Sequence, residues 1–279
     1  MHIPSLINHN GNIVPTNTIE LGIDNRAFQY GDGFFESMRT HDYTLLFDEY
    51  HQRRLDETLT YFSMQGQPIR LKDEVEKLLR ANSAPRARCK LICHRSSGGM
   101  YLPNENSFQY HILLQDVEPQ MFSSTAEGLS ATVYYENTKS CSPLANYKSS
   151  SAQLYVLASL FGQSAKKNEV ILLNQHGRVC EGCNANIYFA NEKKEIFKIP
   201  LSEGCLNGVM GQVSDKTLLD AGYKLVDAPI ALADLQKFNE SWLCNVSRGI
   251  RHLSSIDAYV FPSTTCSEAL ISLLNMKYY

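Results

Sequence analysis

The sequence lacks the features that mark membrane, nucleic-acid-binding and secreted proteins. No apolar run approaches the roughly 18 residues that a membrane-spanning helix needs. Charges of one sign form no long run, and 26 basic residues nearly balance 29 acidic ones for a net charge of −3, which argues against a nucleic-acid-binding surface. Residues 1–5 show no basic segment followed by an apolar one, so we expect no signal peptide. These absences predict a cytoplasmic protein without a membrane or nucleic-acid partner.

Cysteine is present but sparse, with eight residues among 279. A disulfide scaffold is a shorter chain with denser cysteine. Cys180 and Cys183 form one CxxC pair, yet no second pair or nearby histidine completes the four ligands of a zinc site. We therefore expect no metal, and we interpret the cysteines as buried reduced thiols.

The composition is that of an ordinary folded protein, with 43% hydrophobic and 20% charged residues. At roughly 150 residues per domain, the length suggests one large domain or two modest ones. A polar segment that ends in proline marks residues 118–122 as a linker. We therefore predict a small N-terminal domain over residues 1–117 and a larger C-terminal domain over residues 123–279.

Apolar periodicity predicts a mixed α/β chain. The predicted helices cover residues 48–64, 71–79, 152–165, 209–219 and 267–274. The predicted strands cover residues 44–47, 87–93, 108–115, 129–135, 169–173, 186–190 and 242–246.

Two segments of the first 150 residues have unusual composition. Residues 25–36 place two glycines around Asp32 and four aromatic residues nearby, a pattern that by itself favours a hairpin turn. Lys148 stands just before a predicted helix, among three serines. Most lysines stay on the surface, but a desolvated lysine can lower its pKa enough to form a Schiff base.

Two further segments lie in the second half. Glu181 sits among small, mostly uncharged residues, where a carboxylate seeks a cation or a hydrogen-bond donor. Residues 204–211 are rich in glycine and lead into a predicted helix, whose first N–H groups suit a phosphate. This is not a Walker loop, since no Gly-Lys-Ser/Thr follows.

Taken in order, these segments resemble the class IV, fold-type IV pyridoxal-phosphate (PLP) enzymes, from about residue 10 to residue 257. That family includes branched-chain and D-amino-acid aminotransferases and aminodeoxychorismate lyases. The resemblance implies a two-lobed α/β (α+β) fold, with a small N-terminal α/β lobe and a larger C-terminal lobe that has a barrel-like core. It also implies a homodimer that acts on small amino and keto acids. The motifs that carry it are Arg-x-x-x-Tyr-Gly-Asp-Gly from Arg26, the Arg54-Leu55 pair, Lys148, the Glu181…Asn186 motif and Leu206-Asn207-Gly208-Val209.

The resemblance also implies roles for individual residues. Lys148 would form the Schiff base with PLP and move the substrate α-proton. Glu181 would hold the pyridine nitrogen protonated, so that the ring accepts electrons. Arg54 would clamp the phosphate, because its planar fork suits phosphate oxygens.

The remaining implied site residues surround the phosphate and the substrate. Asn186 is expected to bind the cofactor as part of the Glu181 motif. Val209 and Met210 would offer backbone N–H groups to the phosphate, which Val246 and Ser247 would also face. The substrate pocket would be lined by Tyr30, Phe35 and Arg95. The candidates to bind a substrate carboxylate are Arg95, Arg39, Arg248 and Arg251.

Several positions depart from the aminotransferase pattern. Met210 and Gly211 stand where many of these enzymes have threonine and arginine, and Val246 replaces a common threonine. Gln153 replaces a tyrosine of the branched-chain enzymes, and residues 207–210 and 243–245 look closer to the lyases. We expect an aminotransferase because most family members are, with 4-amino-4-deoxychorismate lyase as the first alternative. The second alternative is a catalytically inert cofactor-binding or interaction protein.

Overall fold

The computed structural model describes residues 5–117, 122–123 and 127–278. The chain folds into two compact units: the first contains residues 5–117 and 148–151, and the second contains residues 122–123, 127–147 and 152–278. The predicted linker at residues 118–122 lies outside the described residues except for Phe122, which is buried. The short segment 148–151 therefore belongs to the first unit although its neighbours in sequence belong to the second.

The first unit is a six-stranded antiparallel sheet with helices on one face, in the strand order β2-β1-β6-β5-β3-β4. Its strands are β1 (Leu6–His9), β2 (Asn12–Pro15), β3 (Gly33–His41), β4 (Thr44–Leu45), β5 (Arg88–Arg95) and β6 (Phe108–Gln115). Its helices are α1 (Arg26–Tyr30), α2 (Asp48–Tyr61) and α3 (Leu71–Ala81).

The core of this unit follows from the two periodicities in its sequence. The side chains of β3 and β5 alternate between two faces, so Met38 and Leu91 point inward. Leu55 of α2 and Val75 of α3 cover them in one apolar cluster. The predicted helices at 48–64 and 71–79 and the strand at 108–115 are confirmed, with small changes of boundary.

The hairpin turn favoured for residues 25–36 is wrong. The segment forms α1 and the start of β3 instead. The Asn25 side chain accepts a hydrogen bond from the backbone N–H of Phe28 and so caps α1, and Gly31 ends the helix with a φ of 67°. These local bonds outweigh the turn preference of the two glycines.

The second unit contains a nine-stranded mixed sheet, in the order β12-β11-β10-β13-β14-β7-β8-β9 with β15 paired to β14. The strands are β7 (Leu129–Lys139), β8 (Glu169–Asn174), β9 (Val179–Gly182), β10 (Asn186–Ala190), β11 (Ile196–Lys198), β12 (Leu225–Asp227), β13 (Glu240–Asn245), β14 (Gly249–Ile256) and β15 (Tyr259–Val260). The helices are α4 (Gln153–Ser164), α5 (Val209–Asp220) and α6 (Thr265–Tyr278).

The mixed α/β prediction is confirmed, but several strands were not predicted. These are the hairpin of β1 and β2, the longer strands β3 and β14, and the short strands β9, β11, β12 and β15. Most of them are short or carry polar and glycine residues, so their apolar alternation is weak. No helix in the described part of the chain has the length and apolarity that a membrane span requires.

Candidate active site

Lys148 lies on an extended segment that pairs with the start of β3. The backbone N–H of Phe35 donates to the Lys148 carbonyl over 3.0 Å, and that of Ser150 donates to the Gly33 carbonyl over 2.9 Å. The Lys148 Nζ atom lies 4.6 Å from the centroid of the Phe35 ring. Helix α4 begins only at Gln153, so this lysine is held by the first unit's sheet rather than by a helix start.

Gly31 allows this segment to approach closely. A Cβ atom at that position would lie 2.7 Å from the Ser151 hydroxyl oxygen, and the φ of 67° is one that other residues rarely adopt. Gly31 therefore lets the segment 148–151, which begins with Lys148, pack closely against the end of α1.

Arg54 is buried on α2 and faces Glu36 of β3. Its Nε and Nη2 atoms both donate to the Glu36 carboxylate, the latter over 2.6 Å. The Nδ1 atom of His51 lies 2.5 Å from Glu36 Oε1. Neither Glu36 nor His51 was predicted from the sequence, although Glu36 is a charged residue between the buried Phe34 and Met38 on the inward face of β3.

The electrostatics of this cluster favour an ionised glutamate beside a neutral histidine. Burial alone would raise the pKa of Glu36, but Arg54 and His51 outweigh it and lower that pKa to about 2. Burial lowers the pKa of His51, and Glu36 only partly opposes that effect. The cluster therefore holds the Arg54 guanidinium in one fixed orientation.

Arg95, predicted to line the substrate pocket, binds protein groups with all three of its nitrogens. Its Nε donates to Asp32 over 3.0 Å, and Nη1 and Nη2 donate to Asn106 and to the Phe62 carbonyl. Arg26 donates to the same Asp32 carboxylate over 2.7 Å. These bonds order the turn before β3, and the pocket role of Arg95 stays a prediction.

The other predicted residues of the first unit differ in exposure. Tyr30 is 39% exposed, and its ring packs beside Tyr101, with 5.7 Å between centroids. Phe35 is half-buried on β3. The buried Arg39 also lies on β3.

Glu181 is the centre of a buried hydrogen-bond network in the second unit. Its Oε1 atom accepts from the Lys139 ammonium and, over 2.8 Å, from the Tyr155 hydroxyl. Its Oε2 atom accepts from the backbone N–H of Leu206 over 2.8 Å. Glu181 therefore has the cation or donor that the sequence predicts, in the form of one ammonium group, one hydroxyl and one backbone N–H.

Lys139 and Tyr155 were not found from the sequence. Burial would lower the pKa of Lys139, but the Glu181 carboxylate outweighs burial and raises it. Burial and the same carboxylate raise the pKa of Tyr155, so its hydroxyl stays protonated. Lys139 is the last residue of the long strand β7. For Tyr155, the only signal in the sequence was its position on the predicted helix 152–165, which corresponds to α4.

The start of α5 forms a small polar cradle. No side chain caps this helix among the described residues, and Gly208 is its N-cap. A Cβ atom at Gly208 would collide with the Asn186 amide oxygen, and the Asn186 amide nitrogen donates to the Leu206 carbonyl over 2.8 Å. Val209 and Met210 lie in the first turn and are buried.

Val246 and Ser247 lie at the turn between β13 and β14. Val246 is buried and Ser247 is half-buried. Two further arginine candidates are near this part of the chain: Arg248 is exposed, and Arg251 donates to Glu169 over 3.0 Å.

All eight cysteines carry free thiols, and burial raises the pKa of the Cys180 and Cys183 thiols. Within the described ranges, no group of three histidine, cysteine or acidic residues can hold a metal ion.

Comparison with known proteins shows which family and fold this chain resembles. An aminodeoxychorismate lyase of Vibrio harveyi is 27% identical over 254 residues, which cover 88% of this chain and 90% of the lyase. The branched-chain amino acid aminotransferase of Escherichia coli has the same fold, with a TM-score of 0.87 at 17% identity over 99% of this chain and 95% of that one. A hypothetical aminotransferase from Mycobacterium tuberculosis, solved in a PLP-bound form, matches with a TM-score of 0.84 at 18% identity, over 97% of each chain.

These structural likenesses confirm the predicted fold class. Residues 33–256 match the family described as amino-transferase class IV. That match includes Lys148, Glu181 and the Asn207-Gly208-Val209 turn, and it covers most of the chain. The chain is a member of the class IV aminotransferase family.

Proposed function

We propose that this chain is a PLP-dependent aminotransferase that moves an amino group from an amino acid to a 2-oxo acid. The observation that carries the proposal is the buried Glu181 carboxylate, held on both oxygens in a chain that also retains Lys148. An inert member of the family would have no need to keep either residue, which argues against the interaction-protein alternative.

PLP is the cofactor of the class IV family, and the residues of this chain fit it. Among the described residues no side chain caps the α5 N-terminus, and Gly208 lets the Asn186 side chain lie directly against the backbone at the start of this helix. Backbone N–H groups of Val209 and Met210 suit a phosphate there. We propose Arg54, Asn186, Val246 and Ser247 as further cofactor-binding residues.

When bound, PLP withdraws the electron pair that remains on the substrate α-carbon after its proton leaves. The protein residues supply the proton transfers and the charges around this step. The amine of Lys148 takes the α-proton as a general base and returns it as a general acid. The Glu181 carboxylate would keep the pyridine nitrogen protonated, and Lys139 and Tyr155 hold that carboxylate in place.

Pyruvate elimination from aminodeoxychorismate is the second candidate reaction. It requires the same base and the same carboxylate, so the proposed roles of Lys148 and Glu181 are common to both reactions. The observation that favours it is the similarity to the Vibrio harveyi lyase, together with the lyase-like segments 207–210 and 243–245. Product analysis separates the two reactions, since one yields a new amino acid and the other yields pyruvate.

We further propose a homodimer in the cytoplasm. Helix α4 is apolar around most of its circumference, yet Val156, Leu157 and Leu160 are 57%, 49% and 56% exposed. A helix that is apolar on most sides is normally buried, and we propose that a second copy of the chain covers these side chains. The eight free thiols suit a reducing compartment.

The decisive experiment is borohydride reduction of the purified protein after addition of PLP, followed by peptide mapping. We expect one pyridoxyl group, fixed on Lys148, and none in a Lys148→Ala variant. The exposed Lys166 offers a matched control, since Lys166→Ala removes a lysine of the second unit and should leave the adduct intact. Adducts scattered over surface lysines, or no adduct at all, would overturn the proposed function.

The reaction type is then read from the products. The loaded protein is incubated with amino donors and 2-oxo acids, and separately with aminodeoxychorismate. Transfer of the amino group to the oxo acid supports the aminotransferase, whereas release of pyruvate alone supports the lyase.

A further inference from the structure

Tyr188 is a buried tyrosine of β10 whose ring and hydroxyl have separate partners. The ring stacks on that of Trp242, which lies directly opposite on β13, with 5.4 Å between centroids and 5° between the ring planes. Aromatic pairs across neighbouring strands stabilise a sheet. The ring alone makes this contact, so a phenylalanine at position 188 would stack in the same way.

The hydroxyl of Tyr188 reaches the first turn of α5. Its oxygen lies 3.1 Å from the Gly211 carbonyl oxygen and 2.7 Å from Oδ1 of Asp215. These two acceptors are four residues apart, which places them on the same face of the helix. A hydroxyl carries one proton, so the two acceptors share it. One strand residue thus braces the beginning of α5 at two points.

Neighbouring residues complete this attachment. The Lys198 ammonium on β11 donates to Oδ2 of Asp215 over 2.6 Å, so both oxygens of that carboxylate are bound. Gly211 has no side chain to hold the strand away: a Cβ atom there would lie 3.1 Å from Asn186 Oδ1 and 3.4 Å from the Tyr188 hydroxyl oxygen. Burial raises the pKa of Tyr188 well above its ordinary value, so the hydroxyl keeps its proton at neutral pH.

The position of this turn matters because the donors that it offers are backbone groups. Met210 and Val246 carry no hydroxyl, and no described side chain caps α5. A phosphate at the start of α5 therefore depends mainly on backbone N–H groups, which point along the helix axis. A side chain can turn towards an anion, whereas a backbone N–H points only where the helix places it.

We propose that Tyr188 is a positioning residue for the cofactor phosphate. Its hydroxyl fixes the first turn of α5 against β10 and so aims the N–H groups of Val209 and Met210. It acts through Gly211 and Asp215 rather than by contact with the cofactor. This inference rests on the proposed function, because it takes the start of α5 as the phosphate site.

The test compares PLP with pyridoxal, which has the same ring and aldehyde but no phosphate. Each is titrated into the wild type and into Tyr188→Phe, and binding is followed in the visible spectrum. Tyr188→Phe should weaken PLP binding by about fivefold or more, as expected for the loss of a buried hydrogen bond, and should change pyridoxal binding by less than about twofold. In the PLP-loaded protein, hydrogen exchange of the peptide 208–215 should be faster in this variant.

Tyr134→Phe is the matched control. Tyr134 is a buried tyrosine on β7 of the same unit, and its hydroxyl accepts from the Asn137 amide nitrogen over 2.9 Å. This change also removes one hydrogen bond of a buried tyrosine, so it should lower the urea midpoint by a similar amount. It should leave the affinities for PLP and pyridoxal and the exchange of peptide 208–215 unchanged.

Equal losses of PLP and pyridoxal affinity in Tyr188→Phe would overturn the inference, because the hydroxyl would then stabilise the second unit in general. Unchanged PLP affinity, or unchanged exchange of the peptide, would overturn it as well. Failure of the proposed function looks different: neither aldehyde would leave a reduced adduct on Lys148 of the wild type after borohydride treatment.

Discussion

Each unit of this protein contains a buried carboxylate that pairs with a cation near its proposed cofactor-binding residues, but the two arrangements serve opposite purposes. Glu36 in the first unit and Glu181 in the second are both 3% exposed. Both oxygens of Glu36 accept hydrogen bonds from the Arg54 guanidinium, and one of them also lies beside His51. Glu181 receives Lys139 and Tyr155 on one oxygen and a backbone N–H on the other.

The two ion pairs differ in which partner, the cation or the carboxylate, is positioned to bind the cofactor. A guanidinium is planar and keeps its charge at all accessible pH values, so the carboxylate beside it fixes the direction of its remaining donors. A lysine ammonium is a compact point charge that can neutralise a carboxylate without dictating its plane. In our interpretation Glu36 positions Arg54 for a phosphate, whereas Lys139 positions Glu181 for the pyridine nitrogen.

The largest expected effect comes from Glu181→Gln. The amide cannot hold the pyridine nitrogen protonated, so we expect proton abstraction to slow by about 100-fold or more, as is typical when a key electrostatic group is removed. PLP should still bind, as seen in the visible spectrum and in borohydride trapping at Lys148. Turnover equal to that of the wild type would contradict the role of Glu181.

The next largest effect is that of Glu36→Gln on stability. This change leaves the buried Arg54 without its carboxylate, and breaking a buried ion pair on one side costs about 3–5 kcal/mol. Urea unfolding should show the loss, and PLP affinity should fall because Arg54 is no longer held. The exposed Glu192 provides a control, since Glu192→Gln should change neither quantity. A Glu36→Gln variant with wild-type stability would mean that Glu36 does not serve Arg54.

A third effect is the acid sensitivity of the Glu36 cluster. The pKa of Glu36 is lowered from 4.5 to about 2 in the folded protein, so the unfolded chain binds more protons as the pH falls through this window. The stabilisation is therefore complete above the unfolded value and is lost towards pH 2. We expect a loss of about 2 kcal/mol between about pH 5 and about pH 3. Urea titrations at these pH values should show a smaller loss in Glu36→Gln, and equal losses would contradict the assignment.

The smallest effect is expected from Tyr155→Phe. This change removes one of three donors to Glu181 and leaves Lys139 and the Leu206 N–H in place, so the free energy of unfolding should fall by only about 1 kcal/mol. The matched change Tyr135→Phe affects an exposed side chain of the same unit and should have no effect. A loss of several kcal/mol in Tyr155→Phe would mean that the hydroxyl, rather than Lys139, is the main partner that holds Glu181.

The sequence alone predicted the elements whose apolar period is strong. Strand 108–115 and the helices that begin at Asp48, Leu71 and Val209 have the boundaries, or nearly the boundaries, that their patterns indicate. Strands β1, β2 and β3 were missed because asparagine, glycine and charged residues interrupt their alternation. Tertiary pairing, which a local pattern does not contain, stabilises them.

The sequence also predicted Lys148, Glu181 and Gly208 as site residues, because each of them can be recognised from its own residue type and its immediate sequence neighbours. Their partners were not visible. Glu36 lies 18 residues from Arg54, and Lys139 lies 42 residues from Glu181. Hydrogen bonds over such separations depend on which strands and helices the fold brings together. The residue types are therefore a property of the sequence, whereas the donors around Glu181 and the direction of Arg54 are decided by tertiary structure, because burial and neighbouring charges exist only in the folded chain.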